Sequence, residues 1–314
     1  MSDWQPTAPR EHLKARAATL AAVRAFFAAR EVLEVETPLL SSAMNSDPNI
    51  ESIVASQLGR QYYLNTSPEF PMKRLLAAGY GAIFQLCKVF RAGESGRRHN
   101  PEFTMLEWYR PSFDEVAMMD EVHALLAELI PSLPRQTLSY REAFMQYAGF
   151  DPHAIELGDL QARSQARLAW HSAVRNEMLD LWLAQVVEPA LPSDRLVFIT
   201  DWPPSMAALA RIETDALGVR IARRFEAFYQ GMEMANGYFE LLDADEQQER
   251  FQQDVRQRER SGQAIGPLDE RLDQAMRAGL PSCAGVAMGF DRLMMVLLQE
   301  GDIGRVISFT TDRA

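Results

Sequence analysis

Cysteine is nearly missing from this chain: Cys87 and Cys283 are the only two in 314 residues, far apart and in apolar company. That excludes a disulfide framework and any paired-cysteine metal site, and reads as two reduced core thiols. Histidine is scarce too, five in all, and none stands in an H-E-x-x-H zinc signature. No apolar run reaches the roughly 18–20 residues of a membrane span. The first residues lack the apolar stretch of a secretory leader, so a cytoplasmic protein is expected. Positive charge is also short, with 32 Lys and Arg against 43 Asp and Glu and a net charge of −11. A protein that grips a long nucleic acid needs a basic face to neutralise phosphates. The basic clusters here are small, Arg97 with Arg98 and Arg220 to Arg224, which argues against extended tRNA or DNA binding. Neither a Walker-type phosphate loop, a G-x-G-x-x-G turn nor a G-x-S-x-G elbow is present. If ATP is used, another device must hold it.

What the chain does have is ordered punctuation. Leu13, Ala17, Leu20, Val23 and Phe27 recur at helical spacing and predict an amphipathic helix over residues 11–30. A short strand at 32–36 is stopped by Pro38, which cannot donate to a ladder. Residues 45–52 are turn-rich. From 62 to 109 the chain reads as strand, helix, strand, loop, strand, with the helix beginning at Ser67, Pro68 and Glu69 and running to 78. The strands at 82–91 and 103–109 enclose a hydrophilic loop with two glycines. Helices are expected at 114–130, 157–187, 245–260 and 292–299, and strands at 196–200, 223–229, 231–233 and 283–290. Strands arriving in hairpins and helices in separate blocks predict an α+β fold, an antiparallel sheet flanked by helices.

The stretch from 90 to 109 carries the densest chemistry. Alternation along a strand puts Phe103, Met105, Glu107 and Tyr109 on one face. Arg91 ends the opposing strand, and Arg98, His99 and Asn100 stand at the return of the loop. An arginine fork suits phosphate oxygens, an aromatic face suits a purine, and Glu107 with Tyr109 suits a cation. Spacing alone leaves a second reading open, an exposed charged hairpin over aromatic core residues.

The wording of these segments separates the two. F-R-A-G-E-S-G-R-R-H-N-P-E-F-T-M-L-E-W-Y at 90–109 resembles motif 2 of the lysyl-tRNA synthetase group of class II aminoacyl-tRNA synthetases. V-E-T-P at 35–38, after its helix, resembles motif 1, and G-V-A-M-G-F-D-R-L at 285–293 resembles motif 3. G-M-E-M-A-N-G-Y-F-E-L at 231–241 is similar to the G-x-E-x-x-N-G-x-x-E-L segment of that group. All four stand in family order. The resemblance implies a class II catalytic core occupying 1–314 as a single domain, with no room before motif 1 for an OB-fold anticodon-binding domain. A core of this kind is similar to the elongation factor P–(R)-β-lysine ligase family. That implies ATP and Mg2+, activation of (R)-β-lysine as an adenylate, and elongation factor P as the protein acceptor. It also implies a homodimer formed through motif 1. The rival readings are a lysyl-tRNA synthetase-like core serving tRNA or another amine, and a non-catalytic regulatory paralogue. The second predicts loss of Arg91, Glu233, Glu240 or Arg292, and all four stand.

The resemblance also assigns roles. Arg91 would hold the α-phosphate and the reacting carboxylate, and Arg292 the opposite side of the nucleotide; these are the expected catalytic pair. Ala92, Gly93, Glu94, His99, Asn100, Phe103, Met234 and Gly289 would complete the ATP site, with Glu233 holding magnesium. Tyr109 and Glu240 would clamp the distal amine of the amino acid. Ser67, Pro68 and Glu69 would meet its other amine, beside Glu107 and Ala287. Two departures stand out. Gly93 fills the position where family motif 2 has glutamate, with Glu94 next to it. Ala287 replaces a glycine and Ser67 an alanine of the lysyl-tRNA synthetases, which suggests a pocket reshaped for a β-amino acid.

Overall fold

The computed structural model describes residues 4–314. They divide into two compact units, the described residues up to 113 with 242–314, and residues 114–241.

The first unit is organised by a long hairpin. Helix α1, Arg10–Ala28, ends where Glu31 takes a left-handed turn, and the chain enters the short strand β1, Leu33–Glu34. A three-stranded sheet follows from β2, Leu40–Ser41, β3, Val54–Gln57, and β4, Arg60–Leu64, with the hairpin turning at Leu58 and Gly59. Both turn residues have positive φ, the geometry that matches strand twist in a two-residue hairpin. Helix α2, Glu69–Ala77, leads into β5, Ile83–Phe90, which pairs antiparallel with β6, Glu102–Pro111. On its other side β6 pairs antiparallel with β13, Cys283–Gly289, which is followed by helix α9, Phe290–Leu298. Two further helices belong here, α7, Ala244–Arg260, and α8, Glu270–Gly279. The buried stripe of α1 is Thr19, Val23, Phe26 and Phe27. Phe27 stacks on Phe84 at 4.5 Å and meets Trp108 edge-on. That stripe therefore serves the unit's own core, while Ala17 of the expected set lies exposed.

The second unit begins at helix α3, Glu115–Leu129, capped by Asp114, whose carboxylate accepts from the Ala117 amide. Strand β7, Arg135–Ser139, runs into α4, Tyr140–Tyr147, through a capping box of Ser139 and Glu142. Helices α5, Leu157–Leu168, and α6, Arg175–Trp182, return the chain to β8, Leu196–Thr200, which lies parallel to β7. A small pair, β9, Ile212–Thr214, and β10, Arg220–Ala222, precedes β11, Arg224–Tyr229, and β12, Met232–Phe239. The order β12, β11, β8, β7 is antiparallel until its last pair. Tyr140, Phe144, Phe150, Trp182 and Trp202 fill the core, with both indole N–H groups bonded, to Ser164 and to the Ile199 carbonyl.

The expected helices and strands stand close to their sequence bounds, with three differences. The strand expected at 231–233 runs on as Met232–Phe239. The 157–187 helix is broken, because Ala169 adopts a left-handed conformation and ends α5. Within each unit the paired strands of the sheet are antiparallel except at β1–β5 and β7–β8, which are parallel. Parallel neighbours need a long crossover, and β7, α4 to α6 and β8 supply one that hairpin reasoning does not anticipate. No helix among the described residues is long and apolar enough to cross a membrane.

Candidate active site

In the first unit the hairpin places the arginine and the aromatic ring together. Val89 pairs with Phe103 across β5 and β6, and the Arg91 guanidinium lies 5.2 Å from the Phe103 ring centroid. Its Nε donates toward the Thr66 carbonyl at 3.4 Å. The loop after it is held at both ends, with the Arg91 amide on the Pro101 carbonyl and the Ala92 amide on the Glu51 carbonyl, each at 2.9 Å. Gly93 has φ +78, where a glutamate would be strained. The carboxylate comes instead from Glu94, 3.6 Å from Arg91. His99 Nε2 lies 2.8 Å from Arg292 Nη2. A guanidinium only donates, so Nε2 accepts and the ring proton sits on Nδ1. Asn100 is buried, donating to the Glu102 carbonyl at 2.6 Å and accepting from the Thr311 amide at 3.1 Å. Its amide therefore ties the loop to the C-terminal segment.

A second cluster lies further along β6. Glu107 and Tyr109 are both 2% exposed, and the Tyr109 hydroxyl donates to Glu107 Oε1 at 2.7 Å. The Ser67 hydroxyl donates to Glu107 Oε2 at 2.7 Å and accepts from the Glu69 amide at 3.0 Å, next to Pro68 at the start of α2. Ala287 is the β13 partner of Glu107, and Gly289 the partner of Met105. The Ala287 methyl thus belongs to the strand position beside the carboxylate. Cys87 is pushed up to about 12, chiefly by burial and then by the charge of Glu107, so this thiol is inert at neutral pH.

Asp291 and Arg16, to which the sequence motifs give no role, tie these elements together. Asp291 Oδ2 accepts from the Thr104 amide at 2.7 Å, and Oδ1 meets Arg16 Nη1 at 2.5 Å. Arg16 also donates to the Thr104 hydroxyl at 2.7 Å. Motif 3 is thereby bolted to the motif 1 helix and the motif 2 strand. Arg258 of α7, fully buried, donates to the carbonyls of Ser46, Asp47, Ile50 and Ala264 and to the Glu51 carboxylate. It shapes the same loop whose Glu51 carbonyl holds Ala92.

In the second unit, β11 and β12 form an acidic face. A bulge after Ala227 brings Glu233 opposite Phe228, on the face that carries Glu226 opposite Asn236. Glu226 accepts from Arg224 at 2.5 Å and from Asn236 at 3.3 Å. Burial raises its pKa, and the charge of Glu233 adds to that while Arg224 opposes it. Two carboxylates that burden each other fit a divalent cation, and magnesium takes only one or two. Met234 is buried beside Glu233, and Glu240, just past the end of β12, is 1% exposed. The Glu240 carbonyl accepts from Arg211 Nε at 2.8 Å.

The first unit thus holds an arginine over an aromatic ring and an acidic hydrogen-bonded cluster, and the second a pair of carboxylates on one strand face. Residues 2–313 match the class II tRNA synthetase family (D, K and N), and the chain belongs to it. Within it the relatives include proteins named elongation factor P–(R)-β-lysine ligase from Salmonella typhi, Salmonella dublin and Salmonella paratyphi B. Each is 44% identical, covering 99% of this chain and 98% of the relative.

Proposed function

We propose that this chain activates (R)-β-lysine with ATP and transfers it to the ε-amino group of a lysine on elongation factor P. The observation that carries this reading is the Ser67–Glu107–Tyr109 chain beside Glu69, an acidic cluster suited to a substrate with two ammonium groups. The Salmonella relatives' names narrow the substrate to β-lysine and the acceptor to elongation factor P. In the first step a substrate carboxylate oxygen bonds to the α-phosphorus and pyrophosphate leaves. Arg91 neutralises charge on the α-phosphate and the attacking carboxylate, and Arg292 does so from the other side. Phe103 stacks on adenine. His99 fixes Arg292, and Ala92, Gly93, Glu94, Asn100, Met234 and Gly289 shape the nucleotide's surroundings. Glu233, with Glu226, would hold Mg2+, which supplies charge neutralisation for the phosphates. Glu240 and Tyr109 hold the distal amine, while Ser67, Pro68 and Glu69 hold the other, with Ala287 trimming the space at Glu107. In the second step the acceptor amine attacks the adenylate carbonyl, forming the amide and releasing AMP.

On this reading residues 1–314 act as one catalytic domain in the cytoplasm, and tRNA is not the acceptor. The working form is a homodimer built on motif 1. Because the α1 stripe faces its own core, that interface would use Leu33, Leu39 and Leu40, which are exposed just after it. Pyrophosphate exchange tests the first step: it should depend on (R)-β-lysine and exceed that with α-lysine. Exchange with neither isomer would overturn the reading.

A further inference from the structure

Lys73 is a lysine with no exposed side-chain surface. An ammonium stripped of water persists only where an opposite charge compensates it. Glu69, one turn earlier on α2, provides that charge: Lys73 Nζ donates to Glu69 Oε1 at 2.7 Å. The acid precedes the base by four residues, the better order for a helical pair. The two partners are not buried alike, since the Glu69 side chain keeps 19% of its surface exposed. A sealed cation therefore grips one oxygen of a carboxylate that reaches the surface, leaving Oε2 to meet an incoming ammonium.

The neighbouring bonds extend this hold. Glu69's amide donates to the Ser67 hydroxyl, and that hydroxyl donates to Glu107, which also accepts from Tyr109. Both ends of Glu69, backbone and carboxylate, are thus fixed relative to the acidic cluster. Removing Lys73 would free the Glu69 arm to other rotamers, and each immobilised rotamer is a gain made before the substrate arrives.

We propose that Lys73 is a positioning residue for amino-acid recognition, fixing the Glu69 carboxylate to receive the amine nearer the reacting carboxyl group. This rests on the amino-acid-activating function proposed above. The test is pyrophosphate exchange by the full chain, its K73M and K73Q variants, E69Q and the K73M/E69Q double variant. β-Lysine is varied at saturating ATP, and then ATP at saturating β-lysine. K73M should raise KM for β-lysine about 10- to 100-fold, a loss of binding rather than of chemistry. K73Q, which still donates a hydrogen bond, should fall between K73M and the parent. KM for ATP should stay within about threefold in both, because uniform nucleotide binding is untouched. In the E69Q background K73M should add little, as coupled partners are not additive. A K73M enzyme with the parent's KM for β-lysine, or a full additional effect on top of E69Q, would sink the proposal. Should K73M lose its thermal unfolding transition, K73Q decides in the same way. If the parent chain exchanges with neither lysine isomer, the underlying functional reading fails instead, so the two failures are told apart.

Discussion

Arg91 shows what a side chain's chemistry settles and what its surroundings settle. Its fork over Phe103 suits two oxygens at once, a task lysine's point charge does not share. R91K should therefore lose roughly 10²- to 10³-fold in kcat/KM for pyrophosphate exchange while the thermal midpoint holds. Ala287 stands opposite Glu107, so A287G should shift the ratio of β-lysine to α-lysine activation by roughly tenfold toward α-lysine. An unchanged ratio in competition assays would separate that methyl from specificity. The common face of Phe103, Glu107 and Tyr109 was legible because strand alternation is strict. The Ser67 bond to Glu107 was not, since the pair stands forty positions apart and meets only once α2 packs beside β6. Lys73 was equally silent, because a lysine on a helix reads as a solvated residue until its burial is seen.

At the scale of elements, hairpins and amphipathic helices were readable, and the anchors between them were not. Arg16 on α1 belongs to no sequence motif, yet it is the partner of Asp291 on α9 and of Thr104 on β6. Breaking a buried pair from one side strands the other charge. R16M should therefore cost about 3–5 kcal/mol in denaturant unfolding. Asp254 on α7 carries a pH signature. Burial lifts it to about 6, against its Ser46 hydrogen bond, which acts the other way. The folded state then keeps this proton longer than the unfolded chain does. Its contribution favours folding at low pH and is lost as pH rises through about 6. The thermal midpoint of D254N relative to the parent should therefore improve between pH 4.5 and pH 7.5, followed by circular dichroism. A constant difference would show that Asp254 does not titrate in this window. The parallel edges of the sheet escaped the sequence for a topological reason, because their partners are joined through helices rather than turns.

For the whole molecule, the net charge of −11 and the small basic clusters argue for a protein acceptor rather than a long nucleic acid. The 44% identity to the Salmonella ligases extends over nearly all of both chains, so the likeness is not confined to one motif. The measurement that bears most directly on the central claim is the intact mass of elongation factor P after incubation with this chain, ATP, Mg2+ and (R)-β-lysine. A gain of one lysyl unit on a single lysine is expected, dependent on ATP and lost with R91A. An unmodified elongation factor P alongside a charged lysine tRNA would contradict it.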